Sequence, residues 1–365
     1  MEEEVMKKLL ILLTVFLMVF GLAACSKPED KGFELALITD VGNIDDKSFN
    51  QGAWEGLVKY AEENDITHQY YKPTEQSTAA YVDAIELAVT GGAKVIVTPG
   101  FLFGPAVFEA QDLFPEVKFV LLDADPHSED WTQFRAEDNV YSIYYAEEQS
   151  GFLAGYAAVK DGYTNLGFMG GMAVPAVVRF GYGFLQGAEY AAAELGLADV
   201  MVKYHYTGNF DDTPDNKAKA ASWYQSGVEV IFAAGGKVGN SVMSAAEEAD
   251  KKVIGVDVDQ SPESDTVITS AMKELGNSVY LALEAYYADE FPGGEIVTLR
   301  ADVDGVGLPQ DFSRFTTFKQ ADYDAVYAKL VDETITLKTN ADGGNEAGVP
   351  DAAKLGLTAV KITVE

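Results

Sequence analysis

The chain has 365 residues, of which 48% are hydrophobic and 23% charged, a composition and length that suit two ordinary α/β domains rather than a disordered chain. It carries 26 Lys and Arg against 58 Asp and Glu, a formal net charge of −32. So acidic a balance argues against nucleic acid and anionic lipid as ligands, since both demand a basic face, and it fits a soluble exported protein.

The chain opens with a targeting segment. Lys7 and Lys8 precede an apolar run from Leu9 to Phe20, too short for a comfortable membrane span and of signal-peptide form. It ends in Leu22-Ala23-Ala24-Cys25, which resembles a bacterial lipobox. In such signals the peptide is cut before the Cys, whose thiol carries the lipid. Cys25 is the one cysteine, so no internal disulfide can form. Residues 1–24 therefore read as a lipoprotein signal peptide and 25–32 as a polar tether. The expected location is the extracytoplasmic face of the cell membrane, held by a lipid on Cys25. Glu2 to Glu4 are unusual ahead of the lysines and make Met6 an alternative start.

The mature chain alternates strand and helix. Short apolar runs predict strands at 35–39, 67–71, 94–98 and 117–122, with helical patterns at 48–63, 77–90 and 103–112 between them. Gly91-Gly92 stops a helix, and Pro99-Gly100 and Asp125-Pro126 mark turns. Ser48 is the expected N-cap of the first helix. The loop before it holds Asp40, Asn43, Asp45 and Asp46, with Phe49 just beyond.

The pattern then restarts. Leu35, Phe49, Gly52 and Gly56 recur at one constant offset as Leu166, Phe180, Gly183 and Gly187. Gly100 matches Gly235, and Asp123-Ala124-Asp125 matches Asp257-Val258-Asp259. Four matches in one order predict two similar α/β halves, each a doubly wound parallel sheet. Loops at the carboxyl ends of both sheets would then face one crevice. The expected first lobe is 33–141 plus 270–300 and the second 142–269 plus 301–365. Hinges are expected near 139–144, 267–272 and 299–303. A helix from Gln149 to Lys160 opens the second lobe, and one from Leu275 to Ala288 returns to the first. Residues 305–365 are the least legible, with a helix at 323–337 and a terminal strand at 357–364.

The crevice loops offer carboxylates, glycines and aromatics, with Lys237 and Arg179 as the basic exceptions. A ligand met by such groups is rich in hydrogen-bond donors and has flat faces, as sugars and nucleosides do. Phosphorylated or carboxylated ligands want Arg, Lys or helix N-termini instead. An enzyme is not expected. The 3 histidines form no metal-ligand spacing, no free thiol or Gly-x-Ser-x-Gly elbow is present, and no phosphate-binding loop appears. No cofactor and no metal are expected.

Five segments in order carry a family resemblance: Ile38 to Gly42, Asp45 to Asn50, Gly170 to Met172, Gly208 to Asp212 and Gly255 to Gln260. Together they resemble the basic membrane protein family of ABC-transporter substrate-binding lipoproteins, which are similar to purine nucleoside receptors, over most of the chain from Phe33 to Asp304. The resemblance implies the type I periplasmic-binding-protein fold, two Rossmann-like lobes joined by crossing strands. It implies a nucleoside ligand with a purine base, a permease and an ATPase as partners, and a monomer.

Carried over by motif position, Phe49 and Phe210 would sandwich the base, with Phe180 as the alternative second stacker. Asp40, Asn50 and Asp123 would read base edges or fix the pocket. Asp257 would accept from ribose hydroxyls, Gly235 would let backbone approach the sugar, and Lys273 would reach a hydroxyl or balance Asp257. Asp45 and Asp46 are expected to dress the helix start, and Asp125 and Asp259 to bond local backbone. Trp54 is divided between helix packing and pocket rim. A receptor for another polar solute such as a sugar, and a membrane-tethered signalling or adhesion protein, are the rival functions.

Overall fold

The computed structural model describes residues 32–365; the expected signal peptide, Cys25 and most of the expected tether lie outside the described residues. Six parallel strands build the first sheet: β1 (Leu35–Ile38), β2 (His68–Tyr71), β3 (Val95–Pro99), β4 (Lys118–Leu122), β5 (Val140–Tyr145) and β11 (Ile296–Leu299). Their order is β11-β5-β4-β3-β1-β2, with Leu35 opposite His68 on one side and Val95 on the other. Helices α1 (Phe49–Glu63), α2 (Thr78–Thr90) and α3 (Gly104–Leu113) connect the strands.

The second sheet repeats this plan. Strands β6 (Asn165–Gly170), β7 (Val200–Tyr206), β8 (Val230–Ala234), β9 (Lys252–Asp257) and β10 (Val267–Lys273) run in the order β10-β9-β8-β6-β7. Two C-terminal strands extend its edges, β12 (Val306–Gly307) beside β10 and β13 (Val360–Val364) beside β7. Its helices are α4 (Glu147–Lys160), α5 (Pro175–Leu195), α6 (Pro214–Gln225) and α7 (Val238–Ala249). Both sheets thus share the order 2-1-3-4-5 at their centre, and in each the order reverses between the first and third strands. Ligands of open α/β sheets bind outside the strand ends at such a reversal.

Strand periodicity divides each core. In the first sheet Ala36, Ile38, Ile96, Phe119 and Leu121 pack on α2 and α3, while Leu35, Leu37, Val95, Val97 and Val120 face the other way, toward α1. In the second, Met169, Ile231 and Val253 pack with Trp223 and Val242 of α6 and α7, and Leu166, Phe168, Phe232 and Ile254 pack toward α4 and α5.

The crossings are reciprocal. Strand β5 ends the first sheet and leads into α4, which packs on α5 of the second. Strand β10 ends the second and leads into α8 (Leu275–Tyr287), which packs on α1 of the first. The repeated glycines make these helix pairs close: a β-carbon on Gly56 would run into the Gly276 carbonyl, and one on Gly187 into the Phe152 carbonyl. The chain therefore changes lobes at Tyr145 to Glu147, at Lys273 to Leu275 and a third time between Leu299 of β11 and Val306 of β12, beside the expected hinge at 299–303. Boundaries at 141/142 and 269/270 would cut β5 and β10, which instead stay whole because their ladders run to the last residue. Helix α9 (Gln320–Val331) is shorter than the apolar spacing of 323–337 suggests and packs on α4. Among the described residues no helix is long and apolar enough to cross a membrane.

Candidate ligand-binding cleft

The loop after β1 forms the lip of the first lobe. Asp40 Oδ1 accepts from the Gly42 N–H at 2.8 Å and from Asn50 Nδ2 at 3.1 Å. Asp46 accepts the backbone N–H groups of Ser48, Asn50 and Gln51 at 2.9, 2.9 and 3.0 Å, and Asn50 Nδ2 at 2.9 Å. Asp46, not Ser48, is therefore the cap of α1, because the left-handed turn at Lys47 (φ 59°) places its carboxylate over the first helical amides. The Ser48 hydroxyl is used elsewhere, donating across the lobes to Asp257 Oδ2 at 2.5 Å. Asp45 is not helix dressing either: it pairs with Lys237 of the second lobe at 2.9 Å. Lys47 adds two more interlobe bonds, its carbonyl accepting from Gln260 Nε2 at 2.7 Å and its ammonium 3.5 Å from Glu263. The lobes are closed on one another.

The lip of the second lobe is apolar. Met172, Val174, Ala176 and Val177 line it, with Phe180 at the start of α5 and Phe210 in the loop after β7. The Phe210 ring lies against the chain at Gly171, where a β-carbon would overlap it. Phe180 is 2% exposed and edge-on to Phe232 at 5.8 Å. Of these two aromatics, Phe210 is the half-buried one with surface left for a ligand.

A buried charge cluster forms the floor. Lys273 Nζ lies 2.6 Å from Asp123, 2.9 Å from Glu147 and 3.8 Å from Asp257, and 4.7, 5.4 and 5.3 Å from the ring centres of Phe49, Phe180 and Tyr145. Arg179 Nε donates to Glu147 Oε2 at 2.5 Å and stands 4.0 Å from Glu148. Asp123 and Asp257 end equivalent strands with left-handed backbones, φ 60° and 68°, a conformation found far more often at Asp and Asn than at most side chains and one that concentrates at functional sites.

Two cations thus face four carboxylates. Burial would lower Lys273, but its three carboxylates outweigh that and hold it protonated. Burial pushes Asp123 up to about 7 against the pull of Lys273, and Asp40 up to about 6. Burial also raises Asp257 and Glu148. For Glu147 burial is outweighed by Arg179 and Lys273, which bring it to about 2. Asn50 Oδ1 and Asp123 Oδ1 are buried without a hydrogen-bond partner, and both residues line the cleft. Leaving such atoms unpaired is costly.

Asp40, Phe49, Asn50, Asp123, Phe210, Gly235, Asp257 and Lys273 all line one cleft, whose empty space is about 810 Å³ with its open mouth included. Gly235 earns its place by packing, since a β-carbon there would meet the Gly171 backbone. Asp259 bonds the local Ser261 N–H, but Asp125 accepts from the Tyr144 hydroxyl at 2.5 Å instead of local backbone. Trp54 lies at the sheet edge against His68 and Tyr70, apart from the cleft. Sequence reasoning missed Glu147 and gave Arg179 no role. The repeat held a signal for both, because Arg179 is the counterpart of Ser48 and each bonds a carboxylate at the floor. Among the described residues no group of three or more His, Cys, Asp or Glu side chains is set to hold a metal ion.

Residues 33–341 match the Bmp family model, described as ABC transporter substrate-binding protein PnrA-like. The chain is 33% identical over 299 residues to the ABC transporter nucleoside-binding protein BmpA of Lactococcus lactis, covering 76% of this chain and 81% of that one. It is 30% identical over 326 residues to the CD4+ T-cell-stimulating antigen of Listeria monocytogenes, covering 84% and 88%. A solved solute-binding protein of an ABC transporter system from Aeropyrum pernix superposes with a TM-score of 0.72 at 25% identity, covering 84% of this chain and 93% of that one. The chain belongs to the Bmp family of ABC transporter substrate-binding proteins, and its fold is that of the type I solute-binding proteins.

Proposed function

We propose that this Bmp-family substrate-binding protein holds a nucleoside, with a purine base, in the interlobe cleft and presents it to the permease and ATPase of an ABC importer. The observation that carries the reading is the pairing of Phe49 and Phe210 on opposite lips, above a floor of buried carboxylates around one ammonium. A flat base stacks between the rings, each contact worth about 1–3 kcal/mol by analogy with aromatic stacking on single strands. The ribose hydroxyls, which donate and accept, meet Asp123, Asp257 and Lys273. With its cations already committed to carboxylates, the floor disfavours a phosphate. The related nucleoside-binding protein of Lactococcus lactis supports the ligand class.

The mechanism is ligand-favoured closure. Asp40, Phe49, Asn50 and Asp123 belong to the first lobe and Phe210, Gly235 and Asp257 to the second, so a bound nucleoside gains its full contacts in the closed state and shifts the population toward it. The protein works as a monomer without catalysis, anchored through lipid on Cys25 at the extracytoplasmic membrane face; the Leu-Ala-Ala-Cys motif supports the anchor. A thermal-shift panel of nucleosides, bases and sugars tests the reading. Stabilisation by nucleosides supports it. Stabilisation by a sugar alone replaces the ligand class, and no shift from any of them points to a tethered signalling or adhesion role.

A further inference from the structure

The first turn of α4, Glu147 to Gln149, is buried beneath the cleft without lining it, whereas Lys273 lines the cleft. This turn meets all three places where the chain changes lobes. It continues the first crossing directly, after Tyr145 and Ala146. Toward the second crossing, Glu147 Oε1 lies 2.9 Å from the ammonium of Lys273, the last residue of β10. Toward the third, Gln149 Oε1 accepts from the Ala301 N–H at 2.8 Å, and the Ala146 N–H donates to the Leu299 carbonyl at 3.0 Å. The second and third crossings are tied to each other by the Glu274 N–H, which donates to the Gly305 carbonyl at 3.0 Å. From outside, the Tyr327 hydroxyl of α9 donates to the Ala301 carbonyl at 2.9 Å.

Two of these ties depend on a side chain of the turn. The other oxygen of Glu147 accepts from Arg179, so the carboxylate is held from both sides and cannot swing away from Lys273 without breaking that bond. Ala301 is 1% exposed, so without Gln149 its N–H is buried with no acceptor, a costly state for a backbone group. We propose that Glu147 and Gln149 are positioning residues that join the cleft floor to the hinge. Glu147 fixes the Lys273 ammonium where the lobes meet, and Gln149 fixes the third crossing in its closed-state path. Hinges turn on a few element-terminal residues, and three crossings tied at one turn move together. The pair sets how strongly closure is favoured, not which ligand is chosen. A smaller closed population weakens every ligand by one common factor. The inference rests on the closure mechanism proposed above and not on the ligand being a nucleoside.

Hydrogen–deuterium exchange of the unliganded full-length protein, with titration calorimetry against a panel of nucleosides, tests this on the wild type, Gln149→Ala and Ile85→Val. Ile85 packs in the first-lobe core with α2 and α3, so Ile85→Val is a loss of packing away from the crossings. Gln149→Ala is expected to speed exchange at 140–149, 267–277 and 296–307 together. It is also expected to raise every nucleoside dissociation constant by one shared factor of about 5- to 50-fold. Ile85→Val should do neither. Faster exchange confined to 296–307, affinity losses that differ from one nucleoside to the next, or the same pattern in Ile85→Val overturns the inference and spares the nucleoside reading. If Gln149→Ala does not fold, Tyr327→Phe, which releases the Ala301 carbonyl, is read in its place with the same expected direction. If no nucleoside binds, the nucleoside reading falls and the exchange pattern alone decides the inference.

Discussion

After β1 the first lobe sets out Asp40, Asn43, Asp46 and Asn50, a wall of hydrogen-bonding groups tied to one another. After β6, the equivalent strand of the second lobe, come Met172, Val174, Ala176 and Val177, a wall with almost no polarity. The scaffolds beneath are alike in strand order, in the Phe at the head of the first helix and in the left-handed Asp that ends the fourth strand. Two copies of one architecture have thus taken separate tasks. The first lobe is suited to read a ligand and the second to press against it, with the charge cluster at the crossing strands joining them. Selectivity should therefore respond to changes in the first lobe, and bare affinity to changes in the second.

The largest effect is expected where the lobes meet. Lys273→Met leaves Asp123, Glu147 and Asp257 buried with one fewer cation, and removing one partner of a buried pair costs about 3–5 kcal/mol, read by denaturant unfolding. Within the second lobe, Phe180→Ala should cost about 3–5 kcal/mol of stability as a core deletion, whereas Phe210→Ala should leave unfolding unchanged and lower ligand affinity by about 1–3 kcal/mol. Equal losses of stability from both would break the division between packing and stacking aromatics. In the first lobe, Asp46→Ala removes the α1 cap for about 0.5–2 kcal/mol and frees the Asn50 amide, so discrimination among nucleosides should loosen with stability. The smallest effect belongs to the exposed pair at the mouth: Asp45→Asn should change closure by about 0–1 kcal/mol, and less in high salt.

Proton linkage separates the unliganded protein from the complex. Asp40 and Asp123 sit at about 6 and about 7, above the ordinary 3.8, so the native state binds more protons than the unfolded one between those values. Their contribution to stability is present at low pH and is lost as pH rises through about 6 to 7. Unliganded protein should accordingly melt higher at about pH 5 than at about pH 8. Ligand donors favour the ionised carboxylates, so nucleoside affinity should fall over the same acidification. Melting and binding followed in parallel check the opposed signs.

Much of the fold was legible because strand and helix periodicity in an α/β chain is strong and because the repeat ties two weak patterns into one. Leu35 and Leu166 could be aligned by sequence, and their strands hold equivalent places in the two sheets. The crossings were legible only to within a few residues, since Val140 to Tyr145 reads alike whether it ends one sheet or begins another. At the cleft, residue type and strand-end position were enough to gather Phe49, Asp123 and Asp257. Partners were not readable. Ser48 looks like a cap, and only the turn at Lys47 hands that task to Asp46. Glu147 looks like an ordinary acidic helix start, and only the fold brings Lys273 and Arg179 to it.

The central claim, that the two lips close on a nucleoside between Phe49 and Phe210, is tested most directly by titration calorimetry with nucleosides on the wild-type protein and on Phe49→Ala. The account predicts one nucleoside bound per chain by the wild type and an affinity lowered about 10- to 100-fold by the substitution. Unchanged affinity in Phe49→Ala, or no nucleoside binding by the wild type, would contradict it.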